Sequence, residues 1–150
     1  MKQIAALTAL ILETFRLNGR LLAAGDALVQ SLDLTSARWQ VLGAIATAPL
    51  PLSVAQIARS MGLTRQAVQR LANDMESDGL VRFQDNPSHR RAKHVVMTPR
   101  GEQAYAAAMK RQAPWAQALA QGLSAQQIAA ATVTLKQLRQ RLEHDSQDGD

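Results

Sequence analysis

Residues 52–101 constrain this chain more than any other stretch, because two short amphipathic helical patterns, a tight turn and two apolar runs around a basic loop follow one another without a break. Ser53-Val54-Ala55-Gln56 has the spacing of a capping box, in which the Ser and Gln side chains satisfy each other's backbone N–H groups. A helix therefore starts there and runs to about Ser60. Met61-Gly62-Leu63 reads as a turn, and Thr64 caps a following helix that runs to Asp78. Gly79 falls just past its end, where a left-handed residue closes the last turn. Leu80-Val81-Arg82-Phe83-Gln84 and His94-Val95-Val96-Met97 are strand-like, joined by a polar loop from Asp85 to Lys93 that contains Pro87. Thr98-Pro99 opens another helix, since proline at the first helical position lacks only an N–H that would be unpaired there anyway. The pattern predicts a helix–turn–helix followed by a β-hairpin.

The flanks are helical. Residues 3–31 carry Ile4, Leu7, Ile11, Phe15, Leu22 and Leu28 at helical intervals, with Leu32 following and more apolar residues between. A helix apolar over so much of its circumference needs more than one partner surface. Thr35 caps a second helix to about Ala46, with Trp39, Leu42 and Ile45 on one face, and Ala48-Pro49-Leu50-Pro51 ends it. After Pro99, Pro114 is expected to kink or interrupt the fifth helix. Gly122 breaks the pattern, and Ser124-Ala125-Gln126-Gln127 is a second capping box. A last helix follows with Ile128, Ala131, Leu135, Leu138 and Leu142 as its seam, and the polar, acidic tail from Glu143 is expected to fray. The expected organisation is a helix over 1–34, a lobe over 35–98, helices over 99–143 and a flexible tail over 144–150. The fold class is mainly α with a small β-hairpin wing.

Charge is not spread evenly over this plan. From Thr35 to Gly101 there are nine Lys and Arg against four Asp and Glu, whereas the rest of the chain holds eight of each. The whole net charge of +5 therefore sits in the helix–turn–helix module. Such a concentration is the electrostatic footprint of nucleic-acid binding. With no Cys, thiol nucleophiles and cysteine redox sensing are excluded. His89, His94 and His144 lack zinc-ligand spacing, and no cofactor motif is present. Lys2 and the apolar run Ile4–Leu12 mimic a short signal peptide, but Glu13 and Arg16 interrupt it and no cleavage site follows, so a cytoplasmic location without membrane insertion is expected.

The helix beginning at Thr64 divides into two faces. Val68, Leu71, Ala72 and Met75 fall at core spacing, while Arg65, Gln66, Gln69, Arg70 and Asn73 occupy the other side. Arginine and amide side chains make paired hydrogen bonds to purine edges in the major groove, which admits one α-helix. A polar face is the ordinary solvated side of an amphipathic helix; the absence of acids until Asp74 and the tight turn before it favour a DNA-reading role. Arg90, Arg91 and Lys93 sit at the hairpin tip, where they could reach phosphates or the narrow minor groove.

The run LTSARWQVLGAIATAPLPLSVAQIARSMGLTRQAVQRLANDMESDGLVRFQDNPSHRRAKHVVMTPRGEQ resembles the winged helix–turn–helix core of the MarR family of bacterial transcription regulators. The MESDGLV junction, the NPSHRRAK wing and the VMTPRG segment carry the likeness most specifically, and the flanking helices also match. The resemblance implies a homodimer with interlocked N- and C-terminal helices, reading a pseudo-palindromic duplex. It implies that Thr64, Arg65, Gln66, Gln69 and Arg70 face the major groove and that Arg91 enters the minor groove. The family wing typically carries an Asp two residues before that arginine; here the position is His89, which cannot anchor a guanidinium as a carboxylate does. Either Asp85 substitutes for that carboxylate or Arg91 is held more loosely, and a protonated His89 would tighten DNA binding as pH falls from about 7.5 to 6. The resemblance also implies a small aromatic or phenolic effector, for which Phe15, Arg16, Arg38 and Trp39 are the candidate lining residues.

Three other classes are open to this sequence. One is a winged-helix protein binding duplex DNA through phosphates alone, in an architectural role. Another is an interaction module without DNA binding, against which Arg65, Arg70, Arg90 and Arg91 argue. An enzyme has the least support, because no nucleophile–base–orienter set or phosphate-cradling loop is visible.

Overall fold

The computed structural model describes residues 1–147. In chain order the elements are α1 (Lys2–Val29), a 3-10 turn (Gln30–Leu32), α2 (Ser36–Thr47), β1 (Leu52–Ser53), α3 (Val54–Met61), α4 (Arg65–Ser77), β2 (Val81–Gln84), β3 (His94–Met97), α5 (Pro99–Leu119) and α6 (Ala125–Gln147). They divide into two compact units, Met1–Gln112 and Ala113–Asp150.

Local side-chain chemistry starts α2, α3 and α4. Thr35 Oγ1 accepts from the Arg38 N–H at 3.2 Å. Ser53 and Gln56 form the full capping box, with Ser53 N–H donating to Gln56 Oε1 at 2.8 Å and Gln56 N–H donating to Ser53 Oγ at 3.3 Å. Thr64 Oγ1 accepts from the Ala67 N–H at 3.1 Å, so its hydroxyl holds the first turn of α4. Between α3 and α4 the chain reverses through Gly62 at φ +67°, a left-handed conformation that a β-carbon would disfavour.

The hairpin belongs to a three-stranded antiparallel sheet in the order β1-β3-β2. Strand β1 was not anticipated, because Pro49 and Pro51 make the sequence before it read as a plain linker. Its two residues pair with Val95 and His94, and Phe83 of β2 also faces Val95 from the other side. Val95 is fully buried at this crossing point. The core gathers Val41 and Leu42 of α2, Ile57 of α3, Val68 and Met75 of α4, and Val81 of β2. Leu71, Trp39 and Ile45 only pack partly against it.

Two close approaches attach the flanking helices to this core. Ser36 N–H donates to Asp26 Oδ1 at 2.7 Å and Ser36 Oγ donates to the Leu22 carbonyl at 2.6 Å, which presses α2 against α1 at Gly25. A β-carbon at Gly25 would overlap Ser36 Oγ. At the other end, Arg111 of α5 donates to the Leu28 carbonyl at 3.0 Å and also to Ser31 Oγ, closing the end of α1.

In the second unit, α5 continues through Pro114 instead of being interrupted there. The proline removes one N–H, but Lys110 and Pro114 are both exposed, so water can take the Lys110 carbonyl that loses its partner. Gly122 turns the chain at φ +82°, and Ser124 Oγ accepts from the Gln127 N–H at 3.0 Å to start α6. Helix α6 runs to Gln147, so the polar segment from Glu143 is helical up to that point; the remainder of the expected tail lies outside the described residues.

Both terminal helices leave apolar side chains in water. Through Ala23 no residue of α1 is buried, and Ile4 and Phe15 are 68% and 72% exposed. Ile128, Val133, Leu135 and Leu142 of α6 are likewise exposed.

Candidate nucleic-acid interface

Helix α4 is laid out by its own periodicity. Val68, Ala72 and Met75 turn inward, which forces Arg65, Gln66, Gln69, Arg70 and Asn73 to the outside, and all five are exposed. Gln69 Nε2 donates to Asn73 Oδ1 at 2.9 Å, joining two amides one turn apart along that face. The hairpin rises beside it, and a cleft of about 1100 Å³ lies between them. Arg65, Gln66, Gln69 and Arg70 line one wall; Arg91 and Lys93 line the other.

The structure thus brings together six of the nine residues singled out for DNA contact. Thr64 is exposed next to them, with its hydroxyl engaged in the cap. His89 and Arg90 are exposed at the wing tip, outside the cleft. Among the described residues none of Arg65, Arg70, Arg90, Arg91 and Lys93 makes an ion pair. Asp85 therefore does not supply the carboxylate missing at His89, and Arg91 stands without an acidic anchor. A row of unpaired cations facing an open cleft is arranged to meet an external polyanion.

The wing loop is shaped by a residue that the sequence reading passed over. Asn86 Nδ2 donates to the Ala92 carbonyl at 3.0 Å, and Asn86 Oδ1 accepts from the Ser88 N–H at 3.0 Å. One half-buried amide thus bridges the base of the loop that carries Arg90 and Arg91. Asn-Pro with a following Ser is a turn signature that could have pointed to it. Glu76 was also missed: it is the acid that lines the cleft, whereas Asp74 does not.

Of the four candidate effector residues, Arg38 lines a polar cavity that Phe15, Arg16 and Trp39 do not line. Arg38 pairs with Asp78 at 2.7 Å and lines a polar cavity of about 300 Å³ with Asp33 and Arg100. Trp39 packs partly on the core, while Phe15 and Arg16 stand exposed on α1, Arg16 paired with Glu13 at 2.8 Å. Among the described residues no helix is long and apolar enough to cross a membrane, and no group of three or more acids and histidines could hold a metal.

Known proteins agree with this geometry. The sequence model described as MarR family matches residues 32–92. An uncharacterised protein of Mycobacterium tuberculosis is 37% identical over 102 residues, which cover 68% of this chain and 70% of that protein. The crystal structure of the transcriptional regulator PA3341 is 28% identical, covers 94% of this chain and 98% of its own, and superposes with a TM-score of 0.72. CouR from Rhodococcus jostii RHA1, solved bound to p-coumaroyl-CoA, shares the fold at a TM-score of 0.75 and 22% identity, over 83% of this chain and 87% of its own. Members of this family are transcription regulators rather than enzymes. The winged helix–turn–helix built on α3, α4 and the hairpin, with its cationic cleft, belongs to a DNA-binding regulator, and the chain is a member of the MarR family.

Proposed function

We propose that this protein is a cytoplasmic homodimeric repressor that binds a pseudo-palindromic operator and releases it when a small aromatic or phenolic ligand binds. The observation that carries the DNA part is the cleft whose two walls present Arg65, Arg70, Arg91 and Lys93 without ion-pair partners among the described residues. In this reading Arg65, Gln66, Gln69 and Arg70 meet base edges in the major groove, with Thr64 beside them. Arg91 enters the minor groove, while His89, Arg90 and Lys93 lie along the phosphates.

Dimerisation is supported by the many large apolar side chains that α1 and α6 each expose, Ile4, Phe15, Val133 and Leu142 among them, since surplus apolar stripes on terminal helices commonly meet a partner helix. Two-fold symmetry would set two copies of α4 about 34 Å apart, or a multiple of it, on one duplex face. The effector part depends on the dimer, because Phe15 and Arg16 gain walls only when α1 is covered. The p-coumaroyl-CoA held by CouR, a protein of the same fold, carries a phenolic acyl group, which supports an aromatic or phenolic compound as the class to test. Such a ligand must prefer a lobe spacing unsuited to DNA, since only differential affinity shifts the equilibrium.

The test is a fluorescence-anisotropy titration of the duplex upstream of the protein's own gene against a scrambled duplex, at two salt concentrations. Selective binding to the upstream duplex supports the operator reading. Equal and steeply salt-dependent binding to both would favour the architectural role.

A further inference from the structure

Glu76 is out of place on a surface that meets phosphates. It is exposed, it sits on the outward side of α4 one turn beyond Asn73, and it is the single carboxylate lining the cleft among the described residues. A carboxylate there repels the DNA backbone, so its presence calls for a compensating task.

The sheet supplies that task. In the order β1-β3-β2 the outer flank of β2 is an edge, with N–H groups that no strand can satisfy. Phe83, paired in register with Val95 of β3, turns its N–H outward and donates it to Glu76 Oε2 at 3.2 Å. Phe83 itself packs partly on the core and lines the cleft. The bond therefore joins α4 to β2 next to Gln84, where the strand ends and the wing loop leaves. Among the described residues Arg91 has no acidic anchor of its own, so its distance from Arg70 is set by how firmly the hairpin is held against α4.

We propose, resting on the DNA-binding reading of this face, that Glu76 is a positioning residue: by capping the free edge of β2 at Phe83 it sets the spacing between the base-reading face of α4 and the wing arginine. Its role is indirect, carried by the backbone of the hairpin. The competing reading is that Glu76 touches DNA directly, as the acceptor for a cytosine amino group.

Two measurements separate these. In the free protein, hydrogen exchange of the Phe83 amide is followed by NMR for wild type, Glu76→Ala and Glu76→Gln. Glu76→Ala should speed that exchange, and Glu76→Gln, which keeps an acceptor oxygen, should hold it near the wild-type rate. Operator affinity is then measured for Glu76→Ala, Arg91→Ala and the double variant. Glu76→Ala should weaken binding about three- to tenfold in the wild-type background. In the Arg91→Ala background its effect should shrink to about twofold or less, because the residue acts through the wing. Unchanged Phe83 exchange in Glu76→Ala would overturn the proposal, as would full multiplicative losses in the double variant. A changed preference at one base pair with Phe83 exchange unaltered would assign Glu76 to base contact instead. Failure of the wild-type chain to bind any duplex would sink the DNA-binding reading and this role together, while the exchange data would still report whether the Glu76–Phe83 bond exists.

Discussion

The Leu80 carbonyl occupies the space that a side chain at Gly101 would need, so α5 can begin against the end of the α4–β2 junction only with glycine in its first turn. Thr98 fastens the same corner three times. Its N–H donates to the Leu80 carbonyl at 3.1 Å, its hydroxyl donates to the Gly79 carbonyl at 2.5 Å, and its Oγ1 accepts from the Gly101 N–H at 3.1 Å. Gly79 itself adopts φ +75°. Gly101→Ala should lower stability by about 1–3 kcal/mol, as expected for overpacking against backbone that cannot retreat. Urea denaturation midpoints at constant slope would check this.

Gly43 is the contrasting case. It lies inside α2, and a β-carbon there would meet Tyr105 at an ordinary 3.7 Å. Gly43→Ala should raise stability by about 0.5–1 kcal/mol through the helix preference of alanine alone. A loss measured in the same denaturation series would show that α2 and α5 pack more tightly than this spacing states.

The cationic cleft makes separable predictions. Arg65→Ala or Arg70→Ala should weaken operator binding by about 1–3 kcal/mol and relax the preference at one base pair. Lys93→Ala should weaken binding to every duplex and reduce the salt slope by about one. Anisotropy titrations over a salt series, on operator and random duplexes, distinguish the two patterns; equal effects on both duplexes for all three variants would remove direct readout by α4.

Asn86→Ala should loosen the wing without unfolding the lobe. Both of its hydrogen bonds stay within the loop from Asn86 to Ala92, so the Ser88 amide should exchange faster while the thermal midpoint moves little. Operator affinity should fall because Arg91 becomes less ordered.

Phe15→Asp should produce a monomer. A charge placed on an apolar α1 surface that already lies in water costs the isolated chain little, yet it cannot be buried against a second copy without a partner. Light scattering coupled to size exclusion reads the mass directly. An unchanged dimer with an intact lobe would place the dimer contact elsewhere.

The order of elements was legible because its signals are local. Ser53 with Gln56, Thr64 before α4, and Thr98 before Pro99 each act over one helical turn, and each is found in its expected role. The outward set Arg65, Gln66, Gln69, Arg70 and Asn73 was readable for the same reason, since a helix with Val68, Ala72 and Met75 inward has no other way to turn. Pro114 does not interrupt α5, because the exposed carbonyl that loses its partner there can be satisfied by water.

By itself, then, the sequence determined the helices and the two hairpin strands, the polar face of α4, and where the positive charge lies. Those properties depend on residues one to four positions apart. Only the tertiary structure decided that a side chain at Gly101 would meet the Leu80 carbonyl while one at Gly43 has room, that Leu52 and Ser53 add a third strand, that Arg38 is tied to Asp78, and that Glu76 reaches the edge of β2. Each of these depends on which distant backbone arrives beside a given side chain, and that approach is set by how the whole core packs rather than by any local preference.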